Sequence, residues 1–144
     1  MLCRVRNLLV ALPLEHVAET MRPLPVEPLA AMPEFVVGLA IVRGEPTPVV
    51  DAGVLLASRD PAAWTRFVAI RSGTRRVALA VEAVLGVRSF DGDTVQTLPP
   101  LLGAASADLV ASVGALDREL LVVLDAARVI PESSWQSIDA TRSS

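Results

Sequence analysis

The sequence predicts an all-β fold of closed barrels with a few short helical turns, and three observations carry that prediction. Short apolar segments recur along the chain, each bounded by Gly, Pro or polar turn residues. Several are apolar on both faces: Val77, Leu79 and Val81 alternate only with Ala78 and Ala80. A strand apolar on both sides packs between two layers, and many such strands in a small chain close into barrels rather than spread into an open sheet. Finally, 11 prolines and 8 glycines among 144 residues interrupt the chain too often for long helices.

Taken in order, Leu2 to Val5 and Leu8 to Leu12 flank Arg6-Asn7 and read as a tight hairpin. Leu14, Val17, Ala18 and Met21 follow at helical spacing, which predicts a short helical turn. Pro23, Pro25, Pro28 and Pro33 hold an irregular extended connection. Phe35 to Val42 is an apolar strand broken only by Gly38, the turn Arg43-Gly44-Glu45 follows, and Thr47 to Val50 is the next strand. Pro46 and Pro48 remove N–H donors on one lateral side of that strand, which predicts an edge or a bulge there. Val54 to Ala57 is short and apolar, and Ser58 to Ala63 is a polar linker. Arg66 to Arg71 and Arg75 to Val81, joined by Ser72-Gly73-Thr74, form the clearest hairpin in the chain. Val84 to Val87 continues as strand, with Gly86 marking a bulge or bend. Phe90 to Ala107 reads as loop, and Leu109 to Leu116 with Leu120 to Leu124 as a last hairpin around Asp117-Arg118-Glu119. Asp125 to Ile130 reads as a helical turn capped by Asp125 and ended by Pro131. The domain therefore spans residues 1–131, and residues 132–144 read as a polar, fraying tail.

Composition removes several classes of function. The net charge is −3, there is no lysine, and the arginines are scattered, so no basic stripe marks a nucleic-acid surface. No apolar run approaches the ~20 residues of a membrane span, and the N-terminal segment breaks at Pro13 among charges, unlike a signal peptide. A single cysteine, Cys3, fits the reducing cytoplasm. His16 and Cys3 cannot close a metal site, and phosphate-cradling glycine loops are absent, so neither metal nor cofactor is expected. One catalytic motif needs weighing. Val49-Val50-Asp51-Ala52-Gly53 is similar to the aspartate loop of aspartic proteases, a chemistry of two carboxylates that one copy supplies only as a homodimer. The hydroxyl that normally follows the aspartate is missing, and the competing reading is an aspartate bonding a turn.

The order Val17-Ala18-Glu19, a proline-rich gap, Pro33-Glu34-Phe35, Gly38, Arg43-Gly44 and Pro48-Val49-Val50-Asp51 resembles the CheW-like domain. Ala78 to Glu82 with Val84, and Gly114-Ala115-Leu116 before Leu120 to Leu124, resemble its second half, so the likeness runs from Leu2 to about Ile130. It departs at Ile41, where the family has asparagine, and at Ala52, where it has leucine. The resemblance implies two intermixed five-stranded SH3-like β-barrels sharing a core, and no enzyme. It implies an adaptor between the cytoplasmic tip of a methyl-accepting chemoreceptor and the regulatory domain of a CheA-type histidine kinase. A divergent member binding only one of the two is the alternative. The resemblance also assigns Val17, Glu19, Gly38, Arg43, Gly44 and Val81 to receptor binding and leaves the kinase-binding residues unknown. Beside it stand plainer readings: core packing for Val17, a solvated carboxylate for Glu19, and a turn charge or an ion pair with Glu19 or Asp51 for Arg43.

Overall fold

The computed structural model describes residues 1–6, 8–56, 64–87, 95–97, 110–116, 119–124, 129–130 and 132–142. The strands are β1 (Leu2–Val5), β2 (Leu8–Ala11), β3 (Val17–Met21), β4 (Val36–Val42), β5 (Glu45–Asp51), β6 (Arg66–Ser72), β7 (Arg75–Val81), β8 (Ala83–Gly86), β9 (Val95–Thr97), β10 (Val110–Leu116) and β11 (Glu119–Leu124). A 3-10 turn covers Leu14–His16, and two helices, α1 (Ala52–Leu55) and α2 (Glu132–Arg142), complete the described elements.

The strands divide into two sheets. One has the order β8-β1-β2-β11-β10-β9 and the other β3-β6-β7-β5-β4. The first is built from both ends of the chain, with the whole of the second inserted between β2 and β8. The architecture is all-β, with two SH3-like barrels intermixed in sequence as expected, although one sheet has six strands where five were expected. The chain crosses from one sheet to the other at Glu82, between β7 and β8, where the Glu82 N–H donates to the Arg4 carbonyl at 3.0 Å.

Alternation along the two-sided strands sorts the apolar side chains into three clusters. Val77, Leu79 and Val81 face a shared core with Val68, Ile70 and Val50 from one sheet and Cys3, Val5, Val10, Val122 and Leu124 from the other. Ala78 and Ala80 point the opposite way, into the five-stranded barrel with Ala40, Val49 and Phe67. Leu2, Leu9 and Ala11 do the same for the other sheet. Alanines recur in the five-stranded barrel because its interior must also seat the Phe67 ring, with Trp64 tilted against it at 5.6 Å.

The hairpins form where the turn residues place them. β1 pairs with β2, β6 with β7, and β10 with β11, all antiparallel. β5 is flanked by β4 and β7, so it is not a sheet edge along its length. The β7 ladder, however, begins only at Val49, so Pro46 and Pro48 lie where that side of β5 has no strand partner. The missing donors fit a local edge. Next to Gly86 the β8 register shifts, Leu2 pairing with Gly86 and Cys3 with Val84, which is the irregularity the glycine signalled.

Three readings are corrected. Val17 to Met21 is strand, not helix: the 3-10 turn stops at His16, and Glu19, Thr20 and Met21 pair with Ala69, Val68 and Phe67 of β6. A ladder along a seven-residue neighbour outweighs one turn's worth of helical spacing. Val95–Thr97, inside the segment read as loop, is a short strand paired with β10. The polar tail is helical over Glu132–Arg142 and buries Trp135 and Ile138 in the shared core. The expected Asp125 cap, most of Phe90 to Ala107, the Asp117-Arg118 turn and the Ser58 to Ala63 linker lie outside the described residues.

Candidate functional site

The two edges of the five-stranded sheet, β3 and β4, are its most distant strands in pairing order. Curling the sheet brings them together, and one ion pair spans that seam. Arg43 Nε donates to both oxygens of Glu19, at 3.2 and 3.0 Å, and Nη2 lies 2.9 Å from Oε2. The pair is open to solvent, with the arginine side chain 72% and the glutamate 31% exposed. The hydrogen bond to Glu19, then its charge, raises the Arg43 pKa further, so the side chain stays cationic at any physiological pH.

Local geometry fixes where Arg43 points. Val42 pairs with Glu45, leaving Arg43-Gly44 as a two-residue loop with φ of 53° and 81°. Positive φ at both positions is the type I′ hairpin turn, whose twist matches that of the flanking strands. Gly44 takes its conformation freely; Arg43 takes a left-handed one that costs a non-glycine residue some strain.

Gly38 answers a different demand. The register of β4 against β5 shifts between Val36 and Gly38, and Glu27 pairs across with the adjacent Leu39, N–H to carbonyl in both directions at 2.7 and 2.8 Å. A Cβ on Gly38 would sit 2.1 Å from the Glu27 carbonyl oxygen. The residue is there for that close backbone approach. It anchors the proline-rich connection along the outer side of β4 and is itself buried.

The residues assigned to one surface are therefore not all on one. Glu19, Arg43 and Gly44 come together at the seam. Val17 is half-buried on β3, packed against the shared core. Val81 is 1% exposed in that core and offers nothing to a partner; the strand alternation that puts Ala80 in the barrel puts Val81 between the sheets. A residue absent from the assignment belongs beside Arg43. Ile41 is 60% exposed on β4, with Pro46 opposite it. It shares its strand face with Leu39, which packs on the shared core, and lies one step past the covered region. Its departure from the family's asparagine, together with strand alternation, is the sequence signal that marks it.

Asp51 has a structural place. Its Oδ1 accepts from the Gly53 and Val54 N–H groups at 2.9 and 3.2 Å, capping α1, and its Oδ2 accepts from Trp64 Nε1 at 3.1 Å. Both oxygens are thus committed to N–H donors, and the aspartic-protease reading has no support. Burial pushes the Cys3 thiol up to about 11, which keeps it neutral and unreactive. Among the described residues no cluster of three or more His, Cys, Asp or Glu side chains is placed to hold a metal ion, and no helix is long and apolar enough to cross a membrane.

The likeness to known proteins agrees with this architecture. The family model of the CheW-like domain matches residues 1–134. The chain belongs to the CheW-like family. It is 22% identical over 113 residues to the chemotaxis protein CheW of Klebsiella aerogenes, covering 77% of this chain and 68% of that one. It is 32% identical over 107 residues to protein FrzA of Myxococcus xanthus, covering 72% of this chain and 65% of that one. The match thus spans about two thirds of each relative's length. The crystal structure of scaffolding protein TtCheW from Thermoanaerobacter tengcongensis superposes with a TM-score of 0.73 at 20% identity, covering 86% of both chains. That likeness places the fold among CheW structures with two SH3-like barrels.

Proposed function

We propose that this chain is a non-catalytic cytoplasmic adaptor. It joins the cytoplasmic tip of a methyl-accepting chemoreceptor to the regulatory domain of a CheA-type histidine kinase. The observation that carries the reading is the seam of the five-stranded barrel, where a solvated arginine stands beside an uncovered isoleucine on a CheW-like fold. An apolar contact flanked by a forked, permanently charged donor is how protein surfaces anchor a helical partner. Glu19 holds the guanidinium in position before the partner arrives, which lowers the ordering cost of binding. Coupling then comes from geometry: the adaptor fixes the kinase domain where a change in the receptor biases its equilibrium.

Calorimetric titration of the full chain with a receptor tip fragment and, separately, with the kinase regulatory domain tests the proposal. Saturable binding to both is expected. Binding to the receptor fragment alone would replace the coupling role with that of a receptor-only member, and binding to neither would end the adaptor reading.

A further inference from the structure

Arg6, Arg43 and Arg75 each stand beside a carboxylate, that of Glu82, Glu19 and Glu132 respectively. Arg71 and Arg76 do not: among the described residues neither has an acidic side chain within ion-pair distance. The ladder between β6 and β7 makes this unfavourable. It sets Phe67 opposite Ala80, Ala69 opposite Ala78 and Arg71 opposite Arg76, all on the barrel side of the two strands. Directly opposed residues have Cβ atoms about 5 Å apart, and like charges there repel. The row that fills the five-stranded barrel thus ends in two arginines on one face, Arg71 exposed and Arg76 half-buried.

Strand direction puts the pair at a defined end. β5 runs parallel to β7, so the Arg43-Gly44 and Gly73-Thr74 turns lie at the same end of the sheet, and β3 begins there too. The other charges at that end are Arg43 with its partner Glu19, the exposed Glu45 that opens β5, and Glu15 with His16, whose Nδ1 lies 3.1 Å from the Arg71 carbonyl oxygen. Arg75 alternates to the opposite face, where it meets Glu132. We propose that Arg71 and Arg76 form a docking point for a short acidic segment of a protein partner, a role that goes beyond the adaptor reading and does not depend on it. Two forked donors on one sheet face suit a pair of carboxylates. Glu15, Glu19 and Glu45 flank them, so a polyanion such as polyphosphate or nucleic acid would carry its charge past the pair onto like charge. Repulsion within the pair is what a bound carboxylate relieves.

Calorimetric titration of the full chain with an octaglutamate peptide blocked at both termini, at low ionic strength, tests the site. Saturable binding is expected, weakened about tenfold by Arg71→Gln and by Arg76→Gln, since hydrogen bonds between charged groups are the stronger ones. Arg66→Gln, at the far end of β6, should leave it unchanged. Urea unfolding supplies a readout that a structural role would not give: Arg71→Gln and Arg76→Gln should hold or raise the midpoint, because each removes the repulsion. No binding, equal losses in all three variants, or a lowered midpoint in Arg71→Gln and Arg76→Gln would overturn the site. Inorganic triphosphate binding as tightly as the peptide would reduce it to a general anion site. Self-association abolished by the same substitutions would make a second copy the occupant. Either of these results overturns the assignment to an acidic segment.

Discussion

Arg43 shows how much one residue decides. Its side chain closes a barrel seam through Glu19 and at the same time stands in solvent beside Ile41, so it has both a structural and a recognition role to separate. Arg43→Glu sets two carboxylates against each other across the seam, and is expected to weaken receptor-fragment binding by about tenfold or more, as loss of an interfacial arginine commonly does. The double swap Glu19→Arg with Arg43→Glu restores an ion pair there but not the arginine at the turn. Titration of both variants, with thermal melts alongside, separates the roles. If the swap recovers the melt but not the binding, Arg43 acts on the partner; if it recovers both, the intramolecular pair is all that matters. Asp51 is the contrasting residue. A carboxylate in a motif that resembles a catalytic loop turns out to receive three N–H donors from its own neighbourhood, which is what a buried cap requires.

Among the elements, β7 is the centre of the design. It lies between β6 and β5, gives Val77, Leu79 and Val81 to the shared core, and gives Ala78 and Ala80 to the barrel interior. Leu79 is fully buried there. Leu79→Ala removes apolar volume that neither sheet can refill without parting from the other, and is expected to cost about 2–5 kcal/mol. A denaturant midpoint equal to that of the wild type would show that β7 is not central. Edge elements behave otherwise. The outer side of β4 is covered by the Glu27–Leu39 bridge over Gly38, which removes part of an open strand edge that would otherwise invite pairing with another chain.

At the scale of the whole molecule, the two barrels are not separable units. The first sheet is assembled from both ends of the chain, the second is inserted into it, and one apolar cluster draws on both. Neither barrel can lose its partner without exposing that cluster, so the pair should unfold in one step. Urea unfolding of a Trp135→Phe variant, followed by far-UV circular dichroism, which reports the sheets, and by emission from Trp64, which packs at the five-stranded barrel, is expected to give superimposable transitions. Two separated transitions would show that each barrel is stable alone.

The resemblance to the CheW-like domain supplied the intermixed two-barrel class, and the residues themselves determined most of the strands, three hairpin pairings and the identity of the arginine turn. Each of the latter rests on information confined to a few neighbouring residues: two-sided apolar composition, turn chemistry, and glycine where φ is positive. Only the tertiary structure decided the rest. Val17 to Met21 became strand because β6 lies beside it, and Val81 became core because the second sheet covers its face. Residues 132–142 became an anchored helix because Trp135 and Ile138 find a vacancy in the shared core and Arg75 stands at its rim. Glu19 and Arg43 met because curling the sheet joins edges 24 residues apart in sequence. Local pattern specifies what a segment can form. Which surface is left to bury it, and which charge waits at the other edge, is set by residues far along the chain.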